Sequence, residues 1–385
     1  MLALRLARGT HPLILLRRLV VAAASAGVGF LLLCTLGYAV DHPSGAGLRL
    51  LWCSVPLAAS VHLAVAVART DPSTRPRAGL SAVGLGPARL TTIAAASTAV
   101  ACTIGSAVAL VTYLHLRGDV TGLPFDGTAA GLLAADRPMP LAGALTLLTV
   151  PPVAASAAAS VALRPRTRRP ADTDEPVRPE EPTATPGGLP WGVTLVAAGL
   201  AVESYLSRGA QDSALPMPGH AQGSPVGVLA GWALTALGLA VAGPGLAHFS
   251  GRLLQSARPG AARLLAGRGL MAEARRIGRP LGVVCAVASG AIAAASLYDG
   301  RGPHPFGPMT GLGAALVMSC TVATLLTAAL ESRHARAETT AALLSLGTPT
   351  KLLRGAVALR ALALLAVFAP LTLAIAELAA LPLRN

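Results

Sequence analysis

Side chains able to do chemistry are sparse in this chain, and their positions limit what it can do. Glu203 and Glu377 are acids inside long apolar runs, each near the end of its run, and His62, His115 and His248 also stand near run ends. A proton relay across a membrane needs carboxylates or histidines deep in the spans, paired with one another or with a cation. These residues fall where water and lipid headgroups reach, so the sequence predicts interfacial groups and argues against a proton-coupled carrier. Cys34, Cys53, Cys102, Cys285 and Cys320 all lie in apolar runs and form no Cys-x-x-Cys pair, which marks them as small packing residues and not metal or redox groups. The phosphate-cradling pattern Gly-x-x-x-x-Gly-Lys-Ser/Thr is absent, as is His-Glu-x-x-His, and no serine has a nearby His and Asp. The chain is expected not to be an enzyme and to hold no metal, nucleotide or other cofactor of its own.

The informative residues are instead in two basic loops. The later one runs Arg333-His-Ala-Arg336-Ala-Glu338-Thr-Thr-Ala-Ala-Leu343-Leu344-Ser-Leu346-Gly347-Thr-Pro-Thr-Lys351-Leu-Leu-Arg354. Leu343, Leu344 and Leu346 supply an apolar stripe, and Gly347 with Pro349 ends that short helix and turns the chain into the next span. The earlier loop runs Arg75-Pro-Arg77-Ala-Gly-Leu80-Ser-Ala-Val83-Gly-Leu85-Gly86-Pro87-Ala-Arg89-Leu90. Its order is the same: basic residues, a short apolar helix, Leu-Gly, a proline, a basic residue and a span.

The elements that must hold these loops follow from composition. Of 385 residues 53% are hydrophobic and 12% charged, a balance that disfavours a water-soluble domain and, with a mean hydropathy of +0.62, points to a polytopic membrane protein. Apolar runs span Leu19–Val40, Leu50–Ala68, Leu90–Leu116, Leu141–Leu163, Leu189–Leu206, Val226–Ala247, Leu281–Tyr298, Met309–Leu330 and about Ala361–Leu383. Most reach the roughly 18 residues needed to cross a hydrocarbon core of about 30 Å, so an all-α fold with about nine transmembrane helices is expected. Ala, Gly, Ser and Thr fill them, as helix packing in lipid requires. Met1–Val40 shares the basic-then-apolar grammar of a signal peptide, but its 22-residue apolar part and the topology of the rest make it a retained span.

With the amino terminus in the cytoplasm, 24 of the 31 Lys and Arg residues fall on the inner side. The outer side holds Arg49, Arg117, Arg137, Arg208, Arg301 and Arg384, a strong positive-inside bias. The net charge of +14 therefore reports topology and attraction to anionic lipid, and no nucleic-acid partner is implied. Residues 164–188, rich in Pro and in charges of both signs, form a linker that cannot bury a core and is expected to be disordered and cytoplasmic. It separates a first membrane repeat, 1–163, with four spans and the loop 69–89, from a second half, 189–385, with about five spans. The second half carries a basic amphipathic segment, 252–279, expected to lie in the inner interface, and the loop 331–355. Outer loops are short, and no large extracytoplasmic domain is expected.

In the order of these loops the chain resembles the FtsX-like (MacB-like, type VII) permeases of ABC transporters. Their hallmark is a loop of the form Arg-x-x-Glu-x-Ala-x-Leu-x-x-Leu-Gly between two spans of a repeat. Arg336, Glu338, Leu343, Leu346 and Gly347 carry it in the second half. Arg77, Leu80, Val83, Leu85 and Gly86 carry it in the first, where the acidic position is missing. The resemblance implies two coupling helices docking on a cytoplasmic ATPase, expected as a dimer that binds the ATP. It further implies a chain that relays ATP-driven motion to export or extract an amphiphilic lipid, peptide or antibiotic. Two alternatives stay open: ATPase-coupled signalling without transport, and an ATPase-independent carrier or scaffold. A homodimer is compatible with each.

Overall fold

A backbone without water to bond must satisfy its own N–H and C=O groups, and in lipid a helix does so within one segment. The computed structural model describes residues 12–41, 46–70, 87–120, 127–131, 133, 135–164, 186–206, 214–215, 224–256, 260–298 and 308–384. Among them the chain forms helices α1 (Pro12–Asp41), α2 (Ala46–Trp52), α3 (Ser54–Thr70), α4 (Pro87–Arg117), α5 (Leu141–Ala162) and α6 (Gly188–Leu206). Then follow α7 (Val226–Gln255), α8 (Ala261–Tyr298), α9 (Pro308–Ala335), α10 (Ala337–Ser345) and α11 (Thr350–Arg384). A two-residue antiparallel ladder between α6 and α7 pairs β1 (Ala214–Leu215) with β2 (Ser224–Pro225).

Nine helices among the described residues are long and apolar enough to cross a membrane, at the places the hydropathy pattern predicts. Their surfaces agree with that reading. On α11, Leu362, Leu365 and Leu373 are 64%, 64% and 55% exposed, an outward apolar face that water would penalise and lipid would not. Pro370 lies inside this unbroken helix, so the carboxyl-terminal run is a single long helix and not a hairpin. Residues 261–279 of the basic segment form the start of α8, which runs on through Pro280 into the apolar stretch.

The chain divides into two compact units, Met1–Arg169 with Phe306–Thr324, and Pro170–Pro305 with Leu325–Asn385. The boundary falls within α9, whose first part belongs to the first unit and whose second part belongs to the second. The stretch 165–185 of the expected linker lies outside the described residues.

In the first unit α1 packs against α3, α4 and α5. Bulky side chains fill the seam. Tyr113 and Leu33 are fully buried with Leu133 and Leu148, and Phe30 meets the Tyr113 ring edge-on at 6.1 Å. A second cluster joins Val21, Leu63, Cys102, Ala155 and Cys320, with Ser25 donating to the Cys102 carbonyl at 2.9 Å. Polar anchors close the helix ends. Arg117, 6% exposed, pairs with Asp119 at 3.3 Å and donates to the Arg137 carbonyl, and the Tyr113 hydroxyl donates to the Leu133 carbonyl. Together they fasten Leu133 and Arg137 onto α4.

The second unit is built more closely. α7 lies between α6 and α8, and α11 packs on α8. A Cβ at Gly231 would stand 2.7 Å from the Gly199 carbonyl oxygen, and one at Gly199 would stand 2.6 Å from that of Gly231. The same reciprocity joins Gly251 of α7 to Gly267 of α8, at 2.9 and 2.7 Å. Without a side chain at these crossings the backbones approach to contact, and dispersion replaces the hydrophobic drive that lipid removes. Arg360 of α11 reaches the Leu265 carbonyl at 2.9 Å, tying the last helix to the basic part of α8.

Candidate docking helix and its anchor

The later basic loop folds as the short helix α10 between α9 and α11. Its end is set chemically. Gly347 adopts φ +84°, a conformation that side-chain-bearing residues resist, and there its N–H bonds the Leu344 carbonyl at 3.0 Å. The Thr348 N–H bonds the Leu343 carbonyl at 3.1 Å, which completes a Schellman stop. Pro349 then prevents the helix from resuming before α11.

Its start is held by Arg336. The guanidinium Nε lies 2.7 Å from Glu273 Oε1 and donates to the Ser332 carbonyl at 3.1 Å, while Nη2 donates to Ser332 Oγ at 3.2 Å. Glu273 belongs to the basic part of α8, so one arginine fixes the α9–α10 corner against a second helix of the same unit. Sequence reasoning gave the acidic role in this loop to Glu338 and passed over Glu273. The signal was present, since Glu273 is the only acid in the basic run from Ala261 to Pro280.

Between those fixed points the helix presents apolar surface. Leu346 is 81% exposed and Leu344 42%, whereas Leu343 is half-buried. Arg333 and His334 precede it and Lys351 and Arg354 follow, all four exposed. The result is an apolar knob flanked along the chain by the cations Arg333, Lys351 and Arg354, on the side expected to face the cytoplasm. Such a patch suits a partner with an apolar cleft and an acidic rim.

The structure thus brings Arg336, Leu343, Leu346 and Gly347 into one short element, with Glu338 on the same helix. Arg77, Leu80, Val83, Leu85 and Gly86 of the first loop lie outside the described residues. The five cysteines are free thiols, and among the described residues no group of three His, Cys, Asp or Glu could hold a metal ion.

One sequence expectation is corrected. Glu203, read as an interfacial group near a span end, is 1% exposed, and its Oε1 accepts from the Trp232 indole N–H at 2.6 Å. Position along a helix sets depth, but the neighbouring helix decides exposure, and here α7 covers the acid. Compared with family models, with characterised proteins and with solved structures, the chain matches none.

Proposed function

We propose that this chain is the membrane subunit of an ABC-type system in a cell membrane, with its amino terminus in the cytoplasm and a separate ATPase docked on its inner loops. The observation that carries the reading is α10, a helix stopped by Gly347, pinned by Arg336 to Glu273, and exposing Leu344 and Leu346 among cations. A pinned helix transmits a rigid-body push where a loose loop would absorb it. Nucleotide-driven closure of an ATPase dimer would move α10 and, through Glu273, the helix α8. The two loops then act as the coupling elements of two FtsX-like repeats, and the work done is export or extraction of an amphiphilic substrate already in the bilayer.

The test is co-purification from mild detergent. Wild type should recover an ATPase, and Leu344→Asp with Leu346→Asp should lose it, because both side chains are exposed and the pair leaves the fold intact. A well-expressed wild type that recovers no ATPase would overturn the reading.

A second reading, an ATPase-independent carrier, is favoured by one observation, the buried carboxyl of Glu203 within a membrane-span candidate.

A further inference from the structure

Glu203 sits where α6, α7, α8 and α11 of the second unit meet. One oxygen is accounted for by the Trp232 indole. The other, Oε2, is buried with no hydrogen-bond partner, and so is the Thr235 hydroxyl beside it. Both residues line a cavity of about 30 Å³, completed by Leu239 of α7, Ser289 and Gly290 of α8, and Ile375 and Ala379 of α11. That is room for one or two water molecules, which need about 10–15 Å³ each of such space and two or more polar partners. Ser289 Oγ donates to the Ala286 carbonyl at 3.0 Å and so keeps its lone pairs free to accept.

The missing counter-ion sets the state of the acid. An ionised carboxylate here would be a buried charge with no cation, since none of the residues lining the cavity carries a positive charge. Of the other titratable groups on the packed helices, Cys285 on α8 turns its sulfur to the Phe368 carbonyl, and Glu377 on α11 is exposed. A neutral acid buries no charge. Its Oε2–H donates to a water in the cavity, and that water accepts from the Thr235 hydroxyl and donates to Ser289. Burying an unpaired charge in a low-dielectric interior is far costlier than burying this neutral set.

We propose that the Glu203 pocket is a buried site for one proton and one bridging water, formed by Glu203, Trp232, Thr235 and Ser289. Proton loading and helix packing are then linked. The Gly199–Gly231 crossing lies one helical turn from Glu203, so the neutral acid holds α6 against α7, and ionisation draws in water and loosens that seam. The site stands independently of any ATPase partner.

Infrared spectroscopy of the full chain in liposomes tests this. Wild type at neutral pH should show a carboxylic-acid carbonyl stretch that Glu203→Gln lacks and Glu377→Gln retains. Trp232→Phe keeps the acid but removes its indole donor, so the same band should persist and move to higher frequency, which assigns it even if Glu203→Gln misfolds. A Glu203-dependent carboxylate band at neutral pH would overturn the proposal. So would a carboxylate band that shifts when sodium replaces a bulky cation, which would assign the pocket to a metal ion instead.

Discussion

The two units bury charge in opposite ways. In the first, Arg117 is buried at the end of α4 beside its counter-ion Asp119, with Nη2 donating to the Arg137 carbonyl and Nε without a hydrogen-bond partner. In the second, Glu203 is buried at a helix crossing with one oxygen engaged and the other facing a cavity. The packing differs in emphasis: Tyr113, Leu33 and Leu133 fill the first seam, which has a close backbone approach at Gly105 against Ala22, while the reciprocal Gly199–Gly231 and Gly251–Gly267 crossings draw the second shut. An ion held beside a counter-ion at the edge of a side-chain-filled bundle is a fastener. A half-satisfied acid in a backbone-to-backbone seam can be switched by what occupies its cavity, and the second unit also carries the exposed helix α10. Under the proposed function, the moving parts of the molecule belong to the second unit and its static scaffold to the first.

The largest effect that would break this contrast comes from filling the glycine seam. Gly231→Leu drives a side chain into the Gly199 carbonyl and should cost about 3 kcal/mol, read as a large fall in Tm in detergent. Gly47→Ala in the first unit, where a Cβ meets nothing within 4 Å, should change Tm little. Next is the helix stop. Gly347→Val must hold a β-branched residue at φ +84°, which costs about 1–2 kcal/mol locally. It should fray α10, seen as faster hydrogen exchange at residues 340–348 with global Tm almost unchanged.

Glu273→Gln removes the carboxylate facing Arg336. The pair is partly solvated, with side chains 12% and 28% exposed, so the loss should be about 1 kcal/mol. The diagnostic result is greater mobility of a spin label at position 340, restored by neither salt nor substrate. The smallest effect belongs to the first unit. Tyr113→Phe deletes a 3.3 Å bond to the Leu133 carbonyl and keeps the packed ring, so a loss of about 1 kcal/mol is expected without any change in α10. A change in α10 exchange from that variant would contradict the division of labour.

Much of the architecture is legible in the sequence because lipid imposes a length and a composition on every span. The stop at Gly347 is legible too, since a Leu-Gly followed by proline has few other uses. Partner choice across the fold is not. Arg336 finds its acid 63 positions earlier, at Glu273, because α8 continues as one helix past Pro280 and carries its basic part to the α9–α10 corner. The burial of Glu203 escaped for a similar reason: its place near the end of α6 suggests exposure, and only the glycine crossing with α7 shows why the side chain is covered. The division of α9 between two units has no mark in its charge pattern, since no charged residue lies between Met309 and Leu330.

The central claim is that α10 is a docking element, and a photocrosslinking residue tests it most directly. Placed at Leu346 and illuminated in cells, it should trap a protein that mass spectrometry identifies by a nucleotide-binding Gly-x-x-x-x-Gly-Lys-Ser/Thr sequence, while the same residue at Leu365 on the lipid-facing side of α11 should not. Crosslinks from position 346 to lipid alone, or to nothing, in a well-expressed and folded chain would contradict the account.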